Sequence, residues 1–237
     1  MGAELGTWTS GRLRGVRPTL LVPLGSTEQH GPHLPLDTDT RIAAAVAAGI
    51  AAALPADEGA ATLIAPAVPY GASGEHQGFP GTISIGTEAL VALLVEYVRS
   101  ASDWARRVLF VNGHGGNVDA LRAAVTQLRT EDRDVAWYGC SVEGADPHAG
   151  HTETSLLLHL CPHHVGARDD VDGNREPLTD LMPRLRAGGM AAVSASGVLG
   201  DPSTASAEAG SRDLAAMVDD GLRRLRRWHP GPDGMLR

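Results

Sequence analysis

The run Thr19-Leu20-Leu21-Val22-Pro23-Leu24 passes directly into Gly25-Ser26-Thr27-Glu28-Gln29-His30-Gly31-Pro32-His33-Leu34-Pro35-Leu36-Asp37-Thr38-Asp39, and then into an Ala-rich stretch from Arg41 to Leu54. A short apolar run without polar alternation suits a strand buried on both faces. With a polar loop and a helix former behind it, it reads as the first part of a βαβ unit. The pattern recurs at Thr62 to Pro66, Arg107 to Asn112 and Asp134 to Cys140. Between these runs, Thr87 to Ser100 places Leu90, Leu94 and Tyr97/Val98 on one helical face, with Thr87 expected as N-cap. Val118, Leu121, Val125 and Leu128 repeat at helical spacing, and Leu214, Met217/Val218, Leu222 and Leu225 form a stripe on a helix expected near Glu208 to Trp228. The alternation predicts an α/β fold with a mainly parallel sheet covered by helices on both faces. Sites in such sheets lie beyond the carboxyl ends of the strands. The segment from Pro162 to Ser203 lacks clear periodicity and is expected to be a long irregular excursion, not a second domain.

The 237 residues fit one domain spanning 1–237, with about 1–17 expected to be peripheral or mobile. All 20 basic residues are Arg, which excludes every mechanism that needs a lysine, from Schiff-base chemistry to the phosphate-binding lysine of a P-loop. A net charge of -8 argues against a nucleic-acid or anionic-membrane partner. Cys140 and Cys161 are too few for a disulfide framework or a structural zinc cluster. No stretch reaches about 18 apolar residues and no apolar leader core is visible, so the expected location is cytoplasmic.

Three loops at strand ends concentrate ligand-type side chains. Glu28 and His30, two residues apart, share a side of an extended backbone, and the Pro-bearing loop behind them can fold back to deliver Asp39. The third strand ends in Asn112-Gly113-His114-Gly115-Gly116-Asn117, where Val118 breaks a dinucleotide-binding glycine pattern and His114 suits a metal ligand or acid/base. After the fourth strand, Asp146-Pro147-His148-Ala149-Gly150-His151-Thr152-Glu153 offers His and Glu again, although Glu153 would also suit the first turn of a helix with no other role. A fourth loop, Tyr70 to Thr82, carries Glu75, His76 and Phe79. In an extended segment Glu75 and His76 diverge, so they are expected to contact substrate or support the ligands, with Phe79 in a wall or lid. Carboxylates and imidazoles without thiols suit Zn, Mn or Fe(II), and a carboxylate able to bridge suits a two-metal site for amide hydrolysis. No G-x-S-x-G elbow supports serine catalysis.

The stretches GSTEQHGPHLPLDTD, GEHQGFPGT, VNGHGGN and HAGHTETSLLL resemble the creatininase family of metal-dependent amidohydrolases, from about Leu20 to the last helix and including SGVLGDPSTASAEAG. The resemblance implies a three-layer α/β/α, Rossmann-like domain, two divalent metal ions per subunit and assembly into a homo-oligomer. It implies Glu28, His30, Asp39, His114 and Glu153 as metal ligands, with Asp39 bridging, and His148 as the proton-transferring residue. His33 and His151 are expected to support the ligands. Creatininase itself carries a glutamate two residues after its NGH histidine, where this chain has Gly116. PYGASGEHQGFPGTISIGTEAL, DPHAGHTETS and PDGML look closest to a branch of the family that acts on a modified precursor peptide, at the amide bond before a decarboxylated, cross-linked C-terminal Val-Tyr pair. A deformylase or cyclic-amide hydrolase on the same scaffold, and a non-catalytic metal-binding scaffold, are the alternatives.

Overall fold

The computed structural model describes residues 3–54 and 61–237. Two six-residue strands, β1 (Thr19–Leu24) and β3 (Arg107–Asn112), pair in parallel along their whole length. The short β2 (Thr62–Ile64) flanks β1 and β4 (Val135–Gly139) flanks β3, so the order across the sheet is β2-β1-β3-β4, all parallel. Side chains alternate between faces with period two. Leu20, Val22, Leu24, Val108, Phe110, Val135 and Trp137 enter one apolar cluster with α3 (Thr87–Ala101) and α4 (Val118–Thr130). Leu21, Leu109, Val111, Ala136 and Tyr138 enter the other, with α2 (Thr38–Ala52), α5 (His151–Leu160) and α7 (Ala207–Arg227). Both faces are therefore covered, which explains why the strands read as continuous apolar runs.

The expected elements are present with shifted ends. The second strand stops at Ile64, just before Pro66, which has no N–H to give to the ladder; beyond it Val68 returns to β1, its N–H donating to the Pro23 carbonyl at 2.9 Å. Thr87 is the first residue of α3 and not its cap; Gly86 holds that position at φ 77°, in the left-handed region that favours glycine. Ser206 caps α7 by accepting from the Ala209 N–H. The excursion is less irregular than its sequence: it contains α6 (Leu178–Gly188), with Pro183 inside it. Leu181 from this helix packs with Met190, Val193 and Leu199 in a small third cluster separate from the sheet. A short helix, α1 (Ser10–Leu13), precedes β1, and Leu5, Trp8 and Leu13 pack on the α3/α4 cluster. At the other end, Trp137 donates to the Gly234 carbonyl and accepts from the Leu236 N–H, so the PDGML stretch covers the edge of β4.

Candidate metal centre

The strand order places the switch in winding direction between β1 and β3: the chain runs from β1 outward to β2, then crosses back to β3. The loops leaving these two neighbours diverge and open a crevice, the usual ligand position in a parallel sheet. Two glycines let the first turn of α2 settle into it. A Cβ on Gly25 would overlap Thr40, and one on Gly113 would overlap the Asp39 carbonyl. Asp39 is thereby wedged between the ends of β1 and β3.

Glu28, His30, Asp39 and His114 are all buried, and Asp39 stands between the others. Its Oδ1 is 3.0 Å from His30 Nε2, and its Oδ2 is 3.1 Å from His114 Nδ1 and accepts from Ser26 Oγ at 2.7 Å. Glu153, in the first turn of α5, comes within 3.8 Å of His30. Among the described residues, three triads have ligand atoms within 4.8 Å of one another: Glu28/Asp39/His114, His30/Asp39/Glu153 and Glu28/His30/His148. The first two share only Asp39, the arrangement of two sites joined by one carboxylate. Both oxygens of Glu28 are buried without a hydrogen bond, although His76 Nε2 and His114 Nε2 lie 3.2 Å away. A buried carboxylate that faces nitrogens without aligned donors is costly in itself and fits a cation between the groups. The donors present therefore match divalent ions that take imidazole and carboxylate.

Gln29, which the sequence reading passed over, fixes the histidines. Its amide nitrogen lies 3.0 Å from the Gly197 carbonyl, 2.9 Å from His76 Nδ1 and 3.0 Å from His148 Nε2; with His148 Nε2 donating to the Gln29 carbonyl, the Gly197 carbonyl and His76 Nδ1 accept the two amide hydrogens. His76 then carries its proton on Nε2, facing Glu28. His148 Nε2 lies 3.0 Å from the Gln29 carbonyl and donates to it, which leaves Nδ1 as a bare acceptor 3.9 Å from Glu28. One glutamine thus makes His76 a donor and His148 an acceptor toward the centre. The Glu153 carboxylate accepts from the Ala149 N–H at 2.5 Å, and Ala149 adopts φ 53° to present it. A buried alanine in the left-handed region is strain stored beside the site. Asp146 caps α5 from upstream, accepting from the Thr152 N–H at 2.9 Å and from the His151 N–H.

Charge is divided within the cluster. Burial opposes a charge on His30, but Asp39, then Glu153 and Glu28, outweigh it and push the imidazole up to about 10. Burial also opposes charge on Asp39, and His30 and His114 hold its carboxyl well below the usual range. Burial and the nearby His30 keep His148 neutral, and burial with His148 lowers His76 to about 3. Glu153 is pushed up to about 7 by burial and then by Asp39, against His30. Closely packed groups driven in opposite directions mark a site organised around charge.

The comparisons with known proteins agree with this geometry. The family model described as creatininase, creatinine amidohydrolase, matches residues 7–225. The chain belongs to the creatininase family. It is 62% identical to the mycofactocin precursor peptide peptidase of Mycobacterium tuberculosis over 98% of this chain and 94% of that protein. The creatinine amidohydrolase of Pseudomonas putida is 29% identical over 89% of this chain and 90% of its own length. Among solved structures, a mutant creatininase superposes with a TM-score of 0.78 at 26% identity, covering 98% of this chain and all of the other.

Of the residues that the creatininase resemblance singles out as ligands, all five lie at this centre, and His148 stands beside them. The fourth loop differs from its extended reading. Gly74–His76 is a 3-10 turn, so Glu75 and His76 do not diverge: His76 meets Glu28, and Glu75 Oε1 lies 3.8 Å from His114 Nε2. Phe79 is not in the cavity wall but packs behind it, against the Leu181 cluster. His33 Nε2 bonds Thr154 Oγ1 at 2.8 Å, tying the first loop to α5, and burial, His30 and Arg168 lower it to about 4. His151 turns to Thr204 Oγ1 at 2.8 Å, away from the ligands. Above the centre is a cavity of about 710 Å³ whose far parts are lined by Leu178, Met182 and Leu185 of α6 and by Met190.

Proposed function

We propose that this chain is a peptidase of mycofactocin biosynthesis, cutting the amide bond before the decarboxylated, cross-linked C-terminal Val-Tyr of a modified precursor peptide and releasing a pyrrolidinone with amino and p-hydroxybenzyl substituents. The observation that carries amide hydrolysis is the pair of triads sharing Asp39 on the floor of a cavity. The substrate follows from 62% identity along nearly the whole chain to a peptidase of that precursor. Glu28, Asp39 and His114 would hold one divalent ion and His30, Asp39 and Glu153 a second, as Zn, Fe(II) or Mn. Two such ions supply a water of lowered pKa and a polarised carbonyl. His148 acts through Nδ1, taking the proton of the attacking water and returning it to the leaving amine nitrogen. The Gln29 carbonyl keeps its ring oriented by accepting from Nε2. The protein is proposed to work as a homo-oligomer, on the family resemblance. Among the described residues, no helix is long and apolar enough to cross a membrane.

The test is turnover of the modified peptide, followed by mass spectrometry of the released amine, with formamides and cyclic amides as competing substrates. Release of the amine that stops on chelation and returns with added metal is expected. Full turnover by metal-free protein, or turnover of formamides alone, would overturn the assignment.

A further inference from the structure

Glu75 is an acid for which the fold makes room. It sits in the 3-10 turn Gly74–His76, lines the cavity and keeps 30% of its side chain exposed. Two glycines from separate segments frame it. A Cβ on Gly116 would lie 2.6 Å from Glu75 Oε1, and one on Gly189, just past α6, would lie 2.8 Å from the Glu75 carbonyl. A Cβ on Gly116 would also overlap the Ala72 carbonyl and His114 Nε2, so the bare glycine keeps Glu75 close to His114, while Gly189 admits the backbone of the turn. The same Gly189 brings the turn against the end of α6, so Glu75 adjoins the wall formed by Leu178, Met182, Leu185 and Met190. One face of the cavity therefore combines a carboxylate with an apolar surface.

That combination has a consequence for peptide ends. A centre built for two divalent ions attracts any carboxylate that enters, including the C-terminus of a peptide bound two residues beyond the scissile bond. An apolar wall cannot solvate such a charge, and a carboxylate beside it repels it. Arg186, the one guanidinium that lines the cavity, is exposed and forms no ion pair among the described residues. An end group without a carboxylate, apolar and carrying N–H or O–H donors, meets neither penalty. We propose that Glu75, framed by Gly116 and Gly189 beside the apolar wall, rejects a free C-terminal carboxylate and restricts the site to peptides whose last residue has already lost it. The inference rests on the peptidase reading and adds a discriminating residue to it.

Two probes test it: a peptide ending in Val-Tyr with a free carboxylate, and the same peptide ending in Val-tyramine. Affinity is measured by calorimetry and kcat/KM by release of the C-terminal fragment. The wild type is expected to favour the tyramine peptide, Glu75→Gln to lower that preference by about tenfold or more, and Glu75→Asp to retain most of it. Metal content is measured for each variant. An unchanged preference in Glu75→Gln with full metal content overturns the inference. So does loss of metal from that variant, which would place Glu75 among the ligands, or tighter binding of the free acid that disappears in Arg186→Ala. If the tyramine peptide binds preferentially through Glu75 but neither peptide is cut, the peptidase reading fails alone. If both are cut without preference, only this inference fails.

Discussion

The loops after β1 and β3 and the segment 162–203 line the same cavity but are held in different ways. Around Asp39 the side chains hold one another in place: Ser26, His30 and His114 surround the carboxylate, and Gln29 ties the first loop to His76 and Gly197. The loops leave strands buried on both faces, so they cannot shift without disturbing the core. The wall formed by α6 rests on a small cluster around Leu181, Met190, Val193 and Leu199, apart from the two sheet clusters, and Leu178 is left 40% exposed. Reacting groups need fixed geometry, whereas a surface that receives a peptide can yield. The difference assigns rigidity to the metal centre and adaptability to the wall.

The strongest way to break that comparison is Asp39→Asn. Asp39 is the only residue common to the two main triads, so its loss should remove both sites at once. Metal content is expected to fall in parallel at both sites, and activity by about 10³-fold or more, the scale of losing a central electrostatic element. Elemental analysis with turnover checks this. Loss of a single ion with the other retained would show that the sites are independent.

The same difference governs what could be read in the sequence. Glu28 and His30 are legible because a two-residue spacing after a strand has one geometric meaning, and His114 because an imidazole between glycines at a strand end has few other uses. Asp39 was legible as a residue that a Pro-bearing loop could return, but the glycines that make room for it act through space. Gln29 was not legible: strict alternation points it away from Glu28 and His30, and the curl at Gly31, with φ 65°, is visible only in the fold. The 3-10 turn at Gly74–His76 is equally hidden, since adjacent residues diverge in one backbone state and converge on a site in another. In α6, Pro183 and the Gly188-Gly189 pair obscure a Leu178, Leu181/Met182, Leu185 spacing that is helical. Local pattern therefore identified the strands and the carboxylates and imidazoles that the fold gathers at their ends, while the wall depends on contacts distant in sequence.

Leu181→Ala separates the regions at intermediate cost. The side chain is fully buried in the small cluster, so truncation should cost about 2–5 kcal/mol, but only where that cluster contributes. Hydrogen exchange should quicken across α6 and Met190 to Leu199 while β1 and β3 keep their protection. KM for the peptide should rise with metal content unchanged. Equal loss of protection in β1 and β3 would mean that wall and centre form one cooperative unit.

The smallest effect expected is that of Ser26→Ala, which removes one hydrogen bond from the most constrained carboxylate. Ser26 Oγ donates to Asp39 Oδ2, the same oxygen that lies 3.1 Å from His114 Nδ1, so the hydroxyl decides how that oxygen is presented. Alanine leaves the oxygen buried without this donor, because Ser26 is fully enclosed and no water replaces it without moving the loop. Metal affinity should fall by about 10-fold, at the lower end of what orienting partners of ligands contribute. The fold should be retained, since the backbone contact between Thr40 Oγ1 and the Ser26 carbonyl does not involve the lost hydroxyl. Competition with a chelator of known affinity measures the shift. A loss confined to the site containing His114 would show that rigidity is set oxygen by oxygen; an equal loss at both sites would show that Asp39 moves as a whole.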